Sequence, residues 1–122
     1  MVMRGSNSLR PQMPGHKCYC VSSDGGCHWR PPEPWAYAGG ECFFWPSSVS
    51  TLLAHSSGRT FRIGNITPRN TDGNAPRYPL VIAEVDPGSL MLIKDSATVI
   101  EDRRPEDHPD IQFSNFLSLI HI

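Results

Sequence analysis

Apolar and polar positions alternate in short runs along most of the chain, and clusters of turn-forming residues separate the runs. In "HKCYCV", Cys18 and Cys20 fall on one side and Tyr19 and Val21 on the other, the period-two signature of a half-buried strand. The same reading predicts strands over residues 1–6, 17–22, 27–30, 48–55, 60–66, 78–86 and 90–101, with a last one starting near residue 110. Leu52 and Leu53 in "SSVSTLLAHS" lie in helical reach, but Val, Ser and Thr dominate that run and favour extended backbone. The chain therefore reads as all-β.

The connections alternate in length. "SSDGGCHW" (22–29), "SSGR" (56–59) and "DPGS" (86–89) are tight, whereas 7–16, 31–46, 67–77 and 102–109 are long and rich in Pro, Asn and charge. In an up-and-down meander, alternate connections fall on opposite ends. All the tight turns should then share one end and all the long loops the other. Residues 48–101 should form a four-stranded antiparallel meander, and long loops on a rigid scaffold are where function sits.

The first tight turn can satisfy itself. Gly25 and Gly26 supply positive φ without steric cost. Asp24, and more weakly Ser22, can accept from the turn's own backbone N–H groups. Trp29 is expected to start the return strand and to fold its ring over the hairpin. Nothing in the turn calls for a ligand.

Its spacing is also specific. Ser22-x-Asp24-x-Gly26-x-x-Trp29 resembles the Asp box, S-x-D-x-G-x-[ST]-W, with His28 where the motif has Ser or Thr. Together with "MVMRGSN", "PPEPW", "LLAHSSGRTFRIGNITPRN", "PRYPLVIAEVDPGS" and "VIEDRRPEDHPDIQFSN", the chain resembles the sialidase-like, BNR-repeat proteins over about residues 1–116. The resemblance implies a six-bladed β-propeller of four-stranded blades, with the Asp box on an outer hairpin far from the central site. It speaks for the fold more than for catalysis.

Composition fits one domain of short strands and turns: of 122 residues, 39% are hydrophobic, 12 are Pro and 10 Gly, with formal net charge −1. There is no run long enough to span a membrane, no basic block of the kind that binds nucleic acid, and no apolar core in "MVMRGSN" to make a signal peptide. A six-bladed propeller needs roughly 300 residues, at ~40–50 per blade. The expectation is therefore a partial propeller: residues 1–30 as part of one blade and 48–101 as one whole blade. It is expected to be inactive alone and to lack its natural start. The sequence does not fix a compartment; the resemblance leaves extracellular and periplasmic sites open. "LSLIHI" (117–122) reads as the in-frame translation of a transposase sequencing adapter, a tail to be set aside from the fold.

The resemblance implies a glycosidase acting on terminal sugars such as sialic acid, whose carboxylate the family grips with three arginines. Arginine offers a planar bidentate fork that lysine cannot copy. Arg4, on the first strand, and Arg77, where a long loop leads into a strand, are the candidates, with a structural salt bridge or loop anchor as the alternative role. Arg59 lies on the wrong end; Arg69, Arg103 and Arg104 read as solvated loop charges. Trp45, near the implied channel mouth, and Asn65, at the loop end of "FRIGNI", would shape the pocket and contact sugar hydroxyls. The family's chemistry uses an Asp acid–base and a Tyr nucleophile helped by Glu. Glu33, Glu41, Asp72, Asp102, Glu106, Asp107 and Asp110 crowd the loop end with Tyr37 and Tyr78, and none is singled out as catalytic. Cys18, Cys20, Cys27 and His28 could supply zinc ligands, but their spacing fits no common zinc ribbon and alternation can simply bury the pair. The spacing does not fix a pairing for the four cysteines, Cys42 included. No cofactor or metal is called for, and the expected partner is a carbohydrate or glycoconjugate. The competing reading is a non-catalytic carbohydrate-binding or scaffold propeller.

Overall fold

The computed structural model describes residues 1–5, 12 and 14–114. They form two antiparallel sheets and a single turn of 3-10 helix. The first sheet contains β1 (Val2–Arg4), β2 (Lys17–Tyr19) and β3 (Glu33–Pro34), in that order. The second contains β4 (Ser50–Ala54), β5 (Thr60–Asn65), β6 (Leu80–Val85) and β7 (Thr98–Glu101), again in sequence order. This second sheet is the up-and-down meander expected over 48–101.

β6 shows the clearest period of two. Val81, Ala83 and Val85 are buried while the residues between them are half-exposed. That buried face meets a loop-borne aromatic cluster of Trp35, Tyr37, Phe43 and Trp45, closed by Leu92. Val2 and Tyr19 of the first sheet pack against the same cluster. The aromatics of the long 31–46 loop thus fill the space between the sheets. Their rings contact in sequence: Tyr37–Phe43 at 4.6 Å, Phe43–Trp45 at 4.9 Å and Trp35–Trp45 at 5.7 Å between centroids.

Two strand boundaries differ from the sequence expectation. The partner of β2 is Glu33–Pro34, with Cys18 opposite Pro34 and Tyr19 opposite Glu33, rather than 27–30. Trp29 stays inside the turn. Arg30 N–H does bond Val21 O at 2.9 Å, but Pro31 and Pro32 have no N–H to extend the ladder, so regular pairing resumes only beyond them. The expected single strand over 90–101 is also interrupted. Leu92 bridges Val85 and Tyr37, and a 3-10 turn at Lys94–Ser96 precedes β7. Ser96 explains the break: its Oγ donates to Ile93 O at 2.6 Å and accepts Glu84 N–H at 2.8 Å, replacing a strand partner. Residues 110–114 contain no strand, although Phe113 N–H bonds Arg77 O at 2.9 Å. The 117–122 tail and residue 6 of the first predicted strand lie outside the described residues.

The tight turns form as their residues dictate. Between β4 and β5, His55 N–H bonds Arg59 O at 2.8 Å around a three-residue loop whose last member, Gly58, has φ +83°, the conformation that favours glycine there. After β6, Asp86 Oδ2 accepts from the Ser89 N–H and hydroxyl at 2.7 and 2.6 Å. These two turns and the 22–29 turn border one cleft, while 68–79 and 102–112 line cavities at the other end. The tight turns and the 68–79 and 102–112 loops thus lie at opposite ends, whereas the 31–46 loop, expected with the other long loops, folds between the sheets and carries Trp35 to the tight-turn cleft, where its Nε1–H donates to Leu90 O.

Candidate functional site

The 22–29 turn closes through its own side chains. Ser22 Oγ donates to Asp24 Oδ1 at 2.8 Å and accepts Gly26 N–H at 2.8 Å. Asp24 Oδ1 also accepts His28 N–H at 2.9 Å, and Oδ2 meets His28 Nδ1 at 2.6 Å. Trp29 Nε1–H donates to Gly26 O at 2.9 Å, which lays the indole across the turn. The His28 backbone and ring bonds, joined by Ser22, hold the Asp24 carboxyl down at about 2. Histidine at position 28 thus adds a side-chain contact to Asp24. The turn is structural, with every motif residue used internally.

At the loop end, the residues expected to shape a sugar pocket are enclosed. Asn65 is fully buried: its Oδ1 accepts the Ser48 hydroxyl at 2.7 Å, and its Nδ2 donates to Pro79 O at 3.1 Å and Phe113 O at 2.9 Å. That corrects the expectation of a sugar contact, because both amide hydrogens are consumed in tying the end of β5 to the residue before β6 and to the last described segment. Trp45 is likewise a core residue rather than a channel-mouth platform, with 1% of its surface exposed. One face carries the Arg62 guanidinium, 3.5 Å from the ring centroid, and Phe43 stacks on the ring.

Arg62 is the residue the sequence reading passed over. It is fully buried on β5, opposite Ala83. Its Nη1 and Nη2 donate to Gly64 O and Asn65 O at 3.0 and 2.7 Å, while Nε has no partner among the described residues. Burial pulls the guanidinium well below the usual arginine range. Gly64 makes the fold-back sterically feasible, since a Cβ there would sit 2.6 Å from Nη2. Buried Lys17 donates to Ser48 O and lies 5.8 Å from the Trp45 ring centroid. Ser47 Oγ, Ser50 Oγ and Trp45 Nε1 are buried without a hydrogen-bond partner among the described residues. The one signal in the sequence was a lone arginine between the apolar residues Phe61 and Ile63 of a strand.

Arg4 pairs with Lys17 across β1 and β2. Arg77 is half-buried, its backbone N–H held by Gln112 Oε1 at 2.6 Å and its Nε enclosed without a described partner. Arg59 forms a two-pronged pair with Glu84 at 2.9 and 2.5 Å on the tight-turn end. The loop-end acids are dispersed. Glu41 pairs with Lys94, Asp102 Oδ1 accepts Arg103 N–H at 2.8 Å, and Asp107 Oδ2 accepts Arg104 N–H at 2.7 Å. Tyr37 is buried in the core, and burial pushes its hydroxyl up. One Tyr–Glu pair does form: Tyr19 OH donates to Glu33 across β2 and β3 at 3.3 Å. Burial first, and then the Glu33 charge, raise the Tyr19 hydroxyl, which works against a phenolate nucleophile. The four cysteines are free thiols, and among the described residues no three of His, Cys, Asp and Glu converge on a metal-sized site.

Among the described residues, three of the cavities are large enough for a ligand. A cleft of about 600 Å³ at the tight-turn end is walled by Tyr19, Trp29, Trp35, Leu52 and Leu90, with the closed Arg59–Glu84 pair at its side. Tyr19 OH, Ser22 Oγ and the Trp29 and Trp35 indole N–H groups on its wall are each engaged within the protein. At the loop end, two cavities of about 450 and 480 Å³ flank Tyr78 and Arg103. The Arg103 guanidinium lies 4.6 Å over the Tyr78 ring. Comparison with protein-family models, curated proteins and solved structures finds no match. No helix among the described residues is long and apolar enough to cross a membrane.

Proposed function

We propose that the chain is part of a sialidase-like, six-bladed β-propeller that engages a terminal sugar and, as a complete propeller, hydrolyses its glycosidic bond. The observation that carries this reading is the closure of the 22–29 turn. Ser22, Asp24, Gly26 and Trp29 each make a bond that their motif position calls for. A four-stranded meander follows it in the chain, as successive blades require. In this reading the long-loop end faces the ligand, Arg4 and Arg77 remain candidates for its anionic group, and Trp45 and Asn65 support the face from below.

The dispersal of the acids and the raised Tyr19 hydroxyl favour a second reading, a carbohydrate-binding propeller without catalysis. Expression of the gene's complete reading frame with a fluorogenic sialoside separates the two. Release of the fluorophore supports the hydrolase. Retention on a sialylated matrix without release supports the binding protein. Neither release nor retention, from a folded protein, overturns the carbohydrate reading.

A further inference from the structure

Four of the seven large apolar side chains that stand exposed among the described residues, Met1, Trp29, Leu52 and Leu90, line the tight-turn cleft. Exposed apolar surface is therefore gathered at one concave place, and a gathered patch marks a site where single scattered residues do not. The cleft holds about 600 Å³, inside the range of roughly 300–1,000 Å³ that small-molecule sites occupy. Its rings belong to Tyr19, Trp29 and Trp35, and Trp35, almost wholly buried, forms the floor.

The walls are set before a ligand arrives. Trp29 Nε1–H donates to Gly26 O at 2.9 Å and Trp35 Nε1–H to Leu90 O at 2.7 Å. Leu90 itself sits at φ +63°, a left-handed conformation unfavourable to a residue with a Cβ, and its N–H is held by Asp86 O at 2.8 Å. Strain of this kind persists only where surrounding bonds impose it. Walls pinned in this way do not close on each other, so the apolar surface stays wet until something fills the cleft, and little order is lost on binding. Charge decides what fills it. The charged side chains on the wall, Arg59 and Glu84, neutralise each other through two bonds at 2.9 and 2.5 Å. Tyr19 OH and both indole N–H groups are spent inside the protein, and the Met1 amino group is bound to Cys20 O at 2.9 Å. An ionic ligand would give up its hydration there without a partner, whereas a neutral ring system sheds only unfavourable water contact and gains flat aromatic surface.

We infer that the tight-turn cleft binds a neutral, planar aromatic small molecule, stacked against Tyr19 and Trp29, walled by Leu52 and Leu90 and floored by Trp35. The site lies at the end opposite the loops on which the carbohydrate reading rests, and it does not depend on that reading. It also gives the closed 22–29 turn a use beyond its own stability, that of presenting the Trp29 ring to the cleft.

The test uses the 122-residue chain and two probes that share their rings and differ in charge, N-phenyl-1-naphthylamine and its sulfonate, 8-anilino-1-naphthalenesulfonate. Probe fluorescence and tryptophan quenching give affinity and stoichiometry, amide shifts in ¹H–¹⁵N spectra give the place, and a cooperative thermal melt confirms the fold. The neutral amine is expected to bind one per chain and to move amides of 25–29, 58–60 and 84–90. It should bind about 10-fold or more tightly than the sulfonate, whose charge finds no partner. Leu90→Asn keeps a residue that tolerates the left-handed conformation and should weaken the amine by about 5-fold or more through lost apolar contact. Leu52→Asn should do the same from β4. Val99→Thr, on exposed surface outside the cleft, should leave binding unchanged. Equal affinity for amine and sulfonate, more than one amine per chain, shifts confined to another surface, or undiminished binding by a folded Leu52→Asn would overturn the site. Binding only by a chain without a cooperative melt would overturn it as well, and so would no binding by the folded chain. Pairing with a second copy, seen by sedimentation and excluding the amine, would replace the ligand site with a protein interface. None of these outcomes touches the sialoside and matrix measurements above.

Discussion

Replacing Asn65 by alanine should unfold the loop end of the second sheet. The side chain is fully enclosed and joins Ser48, Pro79 and Phe113 through three hydrogen bonds. It thus ties the approach to β4, the end of β5, the start of β6 and the last described segment. Each bond contributes about 1 kcal/mol net, and a buried group stranded by truncation costs about 1–3 kcal/mol. Alanine strands the Pro79 and Phe113 carbonyls and the Ser48 hydroxyl at once, so a loss of about 3–5 kcal/mol is expected. For a domain of this size that corresponds to a fall in Tm of roughly 10–20 °C. Urea unfolding followed by circular dichroism and tryptophan fluorescence would read it. Asn65→Asp sharpens the test. It turns a donor into a carboxylate facing two carbonyl oxygens, so it should be severe at neutral pH and milder in acid, where the protonated carboxyl can donate again. A loss below about 1 kcal/mol for alanine, or no relief of the aspartate variant in acid, would refute the assignment of Asn65 as a tie.

Other outcomes follow from local geometry. Gly64→Ala places a Cβ 2.6 Å from Arg62 Nη2 and 2.9 Å from Ser50 Oγ, so it should cost about 1–3 kcal/mol by overpacking. Gly39→Ala meets nothing within 4 Å and should stay within about 0.5 kcal/mol in the same denaturation assay. Ser96→Ala removes the hydroxyl between Glu84 N–H and Ile93 O and should speed hydrogen exchange at the Glu84 amide far more than at Val81. The Asp24 carboxyl is depressed from 3.8 to about 2 in the folded turn. Its contribution is therefore complete above about pH 4 and is lost as pH falls through about 2. The Asp24 side-chain carboxyl ¹³C resonance should titrate with a midpoint near pH 2 rather than near 3.8, and Asp24→Asn should abolish that acid transition.

The strand period was readable because burial on one face forces it. Val81, Ala83 and Val85 alternate in sequence as they do in space, and the turn residues at 56–59 and 86–89 mark where the chain reverses. The 22–29 turn was readable for a different reason: its bonds are local, so spacing alone brings the partners together. Sequence failed where the deciding contact is distant or where one atom substitutes for a whole strand residue. The Ser96 hydroxyl breaks 90–101 by taking over a ladder bond, and nothing in "IKDSATV" announces its partner at Glu84. Asn65 and Trp45 looked like surface chemistry because polar and aromatic residues beside long loops often are. Their burial depends on the 31–46 loop folding back between the sheets, a tertiary event without a local pattern. Arg62 was missed for the complementary reason, since a charged residue in a strand reads as the solvent face until Trp45 is placed over it.

The segregation of the connections has an evolutionary consequence. Closing a longer loop costs only about 0.6 kcal/mol for each doubling of its length, whereas the three tight turns depend on particular glycines and side-chain acceptors. Insertions and substitutions are thus cheap at 68–79 and 102–112 and expensive at 22–29, 56–59 and 86–89. One end of the molecule is free to diversify while the other preserves the architecture, so related chains can acquire new ligands without renegotiating how the strands meet.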